Sequence, residues 1–327
     1  MSVRARAVLL GARPVALVSA LLGALLVLVA CGGSGGTPAA APPPAADQAP
    51  PSGAPAPGRT LTVVATTNVW GAVASAVAGP GVEVRSIIQD PAADPHSYES
   101  TPADAAAIAG ADLVVFNGGH YDEWVEQILE GDPALRARSI EAFALRGDQA
   151  QENEHVWFDP TAVKGVVSQV ADRLAAVEPA QAGALRERAA AFSGRVDEET
   201  GRLAASGQAR PGSRVLATEP IARYLLTSAG VADATPPAFS EAIENETDPP
   251  AAVLAEANQL VATRGVDALV FNPQTETPIT TQLRDGATGA GVPVVNVTET
   301  LPAGQDYLQW YGGTRAELAR ALGAPGS

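Results

Sequence analysis

The stretch PAQAGALRERAAAFSGRVDEETGRLAA, residues 179–205, decides how the rest of the chain is read. It opens on a proline, has no second one, and runs for roughly 40 Å at 1.5 Å per residue if helical. Leu185, Ala189, Phe192, Val196 and Leu203 recur at helical spacing to form an apolar stripe, with Arg and Glu between them. Gly183, Gly194 and Gly201 weaken the pattern without breaking it. A helix of this length is either a rigid strut between two domains or a long crossover between strands. The turn Gln208-Ala209-Arg210-Pro211-Gly212 that follows is a natural start for a second half.

On both sides of this helix, short apolar runs alternate with helical stretches, the pattern of α/β architecture. Leu61–Ala65, Val82–Ile88, Leu113–Phe116, Arg214–Ala217, Ala268–Phe271 and Val292–Val297 read as strands, most of them covered on both faces. Thr101-Pro102-Ala103-Asp104 supplies a cap, a proline at the first helical position and an acid in the first turn. Asp159-Pro160 opens another helix, expected to end near Val177. No Gly-x-Gly-x-x-Gly follows a strand, and Lys164, the only lysine, is not part of a phosphate loop. The one Gly-x-Ser-x-Gly, Gly32-Gly33-Ser34-Gly35-Gly36, follows no candidate strand and opens no helix, and His-Glu-x-x-His is absent, which argues against common nucleotide-binding, serine-hydrolase and zinc-protease sites.

The chain has 327 residues, 36 acids against 21 Lys and Arg, and a formal charge of −15. Such a balance repels phosphate backbones, so nucleic acid is not an expected partner. A single cysteine permits neither an internal disulfide nor a thiolate-rich metal site. It stands in Leu28-Val29-Ala30-Cys31, after a basic start (Arg4, Arg6, Arg13) and an uncharged, mostly apolar run, Val15 to Ala30. The whole resembles a lipoprotein signal peptide with its lipobox, cut before Cys31 so that the thiol carries a lipid anchor. Gly32 to Gly58 holds eight Pro and six Gly among its 27 residues and reads as an extended tether.

Polar groups cluster where strands end. His96 sits in a proline-braced loop after the Val82–Ile88 strand, and His155 immediately before the helix opened by Asp159-Pro160. In the second half, Glu219 follows the Arg214–Ala217 strand and Glu299 follows the Val292–Val297 strand. Taken singly, each has an ordinary reading: a packing histidine, a helix cap, a solvated acid. Together they supply two imidazoles and two carboxylates, separated by 59, 64 and 80 residues, at the ends of strands where α/β sheets bind ligands. That donor set suits a divalent first-row metal. His120 stands apart, and Glu241, Glu244 and Glu246 read as a solvated loop.

DPHSYESTPAD (94–104), ADLVVFNG (111–118), HVWFDP (155–160) and PVVNVTETLP (293–302) resemble, in order and spacing, the metal-receptor lipoproteins of bacterial zinc and manganese ABC importers. That family is also described as adhesin lipoproteins. The resemblance covers the chain after the tether. It implies two α/β lobes with parallel-rich sheets, joined by one long rigid helix, with a metal cleft between them. Residues 1–30 would be the signal peptide, 31–58 the lipidated cysteine and tether, and 59–178 the first lobe. The linking helix would span 179–207 and the second lobe 208–327. By position, His96 and His155 would be the first lobe's ligands, Glu219 would fill a place the family gives to His or Glu, and Glu299 one that usually holds Asp.

The resemblance further implies a monomeric receptor on the outer face of the cell membrane. It would hand Zn2+ or Mn2+ to the permease of an importer driven by its own ATPase, with no catalysis of its own. Two nitrogens with two carboxylates lean toward manganese or iron, whereas zinc wins on intrinsic affinity. A secreted metal-dependent hydrolase would instead need an open coordination position and a general base, and no separate acid–base pair is evident. A receptor for an organic metal chelate would need an aromatic or arginine-lined cleft.

Overall fold

The computed structural model describes residues 59–324. Cys31, with the lipidation expected there, lies outside the described residues, as do the leader and the tether. The first half runs β1 (Leu61–Thr67), α1 (Asn68–Ala78), β2 (Val82–Ile88), α2 (Pro102–Gly110), β3 (Leu113–Phe116), α3 (Glu123–Glu130), α4 (Pro133–Ala137), β4 (Ser139–Glu141) and α5 (Pro160–Val177). A long helix, α6 (Ala182–Gln208), follows. The second half runs β5 (Arg214–Ala217), α7 (Arg223–Ala229), β6 (Ala232–Asp233), α8 (Pro237–Glu244), α9 (Ala251–Ala262), β7 (Ala268–Phe271), α10 (Pro278–Ala290), β8 (Val294–Asn296) and α11 (Tyr307–Ala321).

The two halves repeat one topology. The first sheet has the order β2-β1-β3-β4 and the second β6-β5-β7-β8, with every pair of neighbours parallel. In each, the first strand's two neighbours are reached by crossovers that diverge, so a crevice opens at the strands' carboxyl ends. The central strands are buried on both faces. Val63 and Ala65 of β1 join the main core, while Val64 turns to a second cluster with Ile108 and Val125. β2 departs from the expectation of two-sided cover. It is an edge strand, and its Glu83 and Arg85 stand exposed, which blunts an edge that could otherwise pair with another chain. The short edge strands β4 and β6 carry no apolar run and are not legible from pattern alone.

Helix boundaries follow their caps. Thr101 and Asp104 form a reciprocal capping box on α2, and Asp159 caps α5 through the Thr161 amide. Helix α6 begins after a single 3-10 turn at Pro179–Gln181 and ends at Gln208, one residue past the 179–207 expected of the linking helix. Its Leu185, Ala189, Phe192, Val196 and Leu203 are all buried, in one hydrophobic core that takes side chains from both sheets. Gly183, Gly194 and Gly201 face open space, whereas Gly207 is required: a Cβ there would lie 1.7 Å from the Ala229 carbonyl oxygen. No helix among the described residues is long and apolar enough to cross a membrane.

Candidate metal centre

His96 is carried by the loop after β2. Asp94 fixes its approach by accepting the His96 amide at 2.9 Å, an Asx turn within the Pro91–Pro95 bracing. Tyr121 packs edge-on against the imidazole, with ring centroids 4.7 Å apart. His155 begins a short 3-10 turn, Val156–Phe158, that leads into α5. Asn153 orients it by accepting its amide at 3.1 Å, and Trp157 packs against its ring. The His155 side chain is 0 % exposed, yet neither ring nitrogen has a hydrogen-bond partner. Buried polar atoms are almost always satisfied, so a fully buried imidazole with two idle nitrogens points to a ligand.

The second half supplies carboxylates. Glu299, after β8, is buried, and its Oε2 lies 3.4 Å from His96 Nε2. The Tyr121 hydroxyl donates to the same oxygen at 3.0 Å, and Asn272 donates to Oε1 at 2.8 Å. Asn272 also donates a short hydrogen bond to Glu219, so one side-chain amide ties the two carboxylates together. Ligand atoms of His96, His155 and Glu299 lie within 4.8 Å of one another, a spacing that can enclose one ion. Glu219 does not join that group. Its oxygens are held by Asn272 and by the Thr275 hydroxyl at 2.5 Å, although it lines the same cavity of about 490 Å³ as His96.

Glu244 corrects the sequence reading. Far from a solvated loop, it is the last residue of α8, and its side chain turns inward to place Oε1 3.7 Å from His155 Nε2. The missed signal is the buried pair Phe239 and Ile243 at i, i+4, obscured because Pro236-Pro237 offers no polar cap. Glu154 lies close enough to share a second potential grouping with His96 and Glu244. Glu241 and Glu246 are exposed, as expected. His120 is exposed at a positive φ and bonds only Glu123, outside the cleft. Asp306 caps α11 by accepting the Gln309 amide, which commits its carboxylate to the helix.

This concentration of acids controls protonation. Burial pulls the pKa of His96 down, but the hydrogen bond and charge of Glu299, with Glu244 and Glu154 behind it, outweigh burial and hold it up at about 10. His155 is driven well below its usual range by burial and then by the His96 charge. Burial raises Glu219 to about 7, with the Glu299 charge adding to it. Glu244 is pushed to about 10 by burial and by the charges of Glu154 and Glu219. Without a cation the pocket holds protons; a dication is the natural replacement.

The family described as "Zinc-uptake complex component A periplasmic" (ZnuA) matches residues 63–321, nearly all of the folded chain. The chain belongs to the ZnuA family. Its relatives within that class include the manganese-binding lipoprotein MntA of Bacillus subtilis, 28% identical over 136 residues, 39% of this chain and 44% of the relative. The iron-binding protein YfeA of Yersinia pestis is 27% identical over 144 residues, 42% of this chain and 46% of the relative. The matched stretches thus span somewhat under half the length of these relatives. Among solved structures, the laminin-binding protein Lmb of Streptococcus agalactiae superposes with a TM-score of 0.68 at 22% identity, over 80% of this chain and 99% of that one. FpvC of Pseudomonas aeruginosa, solved with Mn2+, gives 0.65 at 22% identity, over 80% and 98%. These likenesses give the ZnuA family fold: two lobes with parallel sheets flanked by helices, joined by one long helix.

Proposed function

We propose that this protein captures a divalent transition metal, Zn2+ or Mn2+, in the cleft between its lobes and delivers it to an ABC importer. His96 and His155 would bind through neutral nitrogens, and Glu219 and Glu299 would supply carboxylates that offset the ion's charge. The observation that carries this reading is His155, fully buried with both nitrogens unpartnered, beside His96 and Glu299. His96 is reached from the cavity, so an ion can enter on that side. Family membership and relatives named for manganese, iron and zinc support the class of cargo.

The first lobe would comprise residues 59–178, the linking helix 179–207 and the second lobe 208–327. Cys31 would carry the lipid that holds a monomer at the extracytoplasmic membrane surface, where the permease and its ATPase complete the importer. The role is that of a receptor, without catalysis. Metal analysis of protein purified without added metal, then equilibrium competition between Zn2+ and Mn2+, tests it. One equivalent of bound metal, lost in the His96→Ala, His155→Ala double variant, is expected. Stoichiometric metal in that variant would overturn the site, and failure of the unmodified protein to bind either ion would overturn the receptor reading.

A further inference from the structure

We infer that Glu244 is a direct ligand of the bound metal, facing His155 across the ion. The inference rests on the metal-receptor reading and adds a residue to its site. Two ligands each about 2.1 Å from one ion at a tetrahedral angle are themselves about 3.4 Å apart. His96 Nε2 and Glu299 Oε2 stand at 3.4 Å, and His155 Nε2 and Glu244 Oε1 at 3.7 Å. The second pair is too long for a hydrogen bond and close to the span of one ion. Both of its atoms are buried, and both lack any hydrogen-bond partner.

Two idle atoms facing each other at that separation are costly unless something lies between them. Glu219 is in the opposite condition, because Asn272 and Thr275 already occupy its oxygens. Glu244 lines the same cavity as His96 and Glu219, so an entering ion meets it directly. Its placement at the tip of α8, anchored by buried Phe239 and Ile243, gives it a defined position in the second lobe. A third carboxylate around two imidazoles makes an oxygen-rich donor set. Such a set favours Mn2+ or Fe2+ relative to Zn2+, compared with the same site lacking Glu244.

The test uses the full folded chain, Glu244→Gln, and Glu241→Gln as an exposed control on the same helix. Mn2+ and Zn2+ affinities are measured by competition with a chromophoric chelator, and Co2+ is added as a spectroscopic probe of the ligand set. Glu244→Gln is expected to weaken Mn2+ by about tenfold or more, to weaken Zn2+ less, and to change the visible Co2+ spectrum. Glu241→Gln is expected to match the unmodified protein. Unchanged affinities and an unchanged Co2+ spectrum in Glu244→Gln would overturn the inference while leaving the receptor reading intact. If the unmodified protein binds no metal, the receptor reading falls and this inference with it. Should Glu244→Gln not fold, a structure of the Zn2+-loaded unmodified protein decides. A Glu244 oxygen at about 2.0–2.2 Å from the ion supports the assignment, and one beyond hydrogen-bonding range overturns it.

Discussion

Asn272 holds the site together at the scale of single residues. Its one amide nitrogen bonds both Glu219 and Glu299, whose charges repel each other, and its oxygen accepts the Gln274 amide. Asn272→Ala removes the donor shared by two buried carboxylates, and titration calorimetry is expected to show about 10–100-fold weaker metal binding in a protein that still folds. Protonation sets a second expectation. His96, Glu219 and Glu244 keep protons to about 10, 7 and 10 in the fold, whereas ordinary values are 6.5, 4.5 and 4.5. Folded-state values raised in this way stabilise the metal-free protein at low pH, and that contribution is lost as pH rises through them. His155, lowered in the fold, opposes the trend only while its unfolded imidazole deprotonates through pH 6.5, and above that range its effect is small. The melting temperature of metal-free protein should therefore fall from pH 6.5 to 9, while metal affinity rises across the same range as bound protons are displaced. A flat melting profile with pH-independent affinity would contradict this account.

Secondary-structure elements explain what could be read in advance and what could not. Leu113–Phe116, Arg214–Ala217 and Ala268–Phe271 emerge with the boundaries their apolar runs imply, because central parallel strands must be apolar on both faces. β4 and β6, only three and two residues long, leave no such trace. His96 and Glu299 are legible in the sequence as residues after strands and His155 as one just before a helix, but Glu244 reaches the cleft through the tertiary packing of α8, whose only local trace is the buried pair Phe239 and Ile243. The packing of α6 on α7 is also a tertiary fact, resting on the missing side chain at Gly207. Gly207→Ala must displace backbone rather than a flexible side chain, so a loss of about 1–3 kcal/mol or more in denaturant unfolding is expected. Gly194→Ala, in open space on the same helix, should instead stabilise by about 0.4–1 kcal/mol. Equal effects at the two positions would show that helix propensity, not the approach of α7, decides.

Across the whole molecule, the lobes are joined by more than a hinge. One hydrophobic core runs from β1 through α6 to β5, and polar ties cross the cleft beside it. Asn68 exchanges two hydrogen bonds with Leu301, the Tyr224 hydroxyl donates to the Asn153 carbonyl at 2.7 Å, and Tyr307 donates to that of Trp157. Gln274 binds the carbonyl of Ala93 in the His96 loop, and its side-chain oxygen receives the Glu299 amide. Wide opening would break a packed core, whereas release of the His96 loop breaks only a few part-buried hydrogen bonds from Gln274 and Thr300 and the contacts of one side chain with Tyr121 and Glu299. Metal should therefore act locally, through loops, with the core and α6 nearly unchanged. Hydrogen exchange with and without Zn2+ is expected to show slower exchange on binding in residues 89–101, 151–158 and 272–276, and little change in α6. Gln274→Ala should raise metal-free exchange in 89–101 specifically. A uniform change through both sheets and α6 would mean that the lobes move as rigid bodies on binding, and would replace this loop-centred account with one of domain closure.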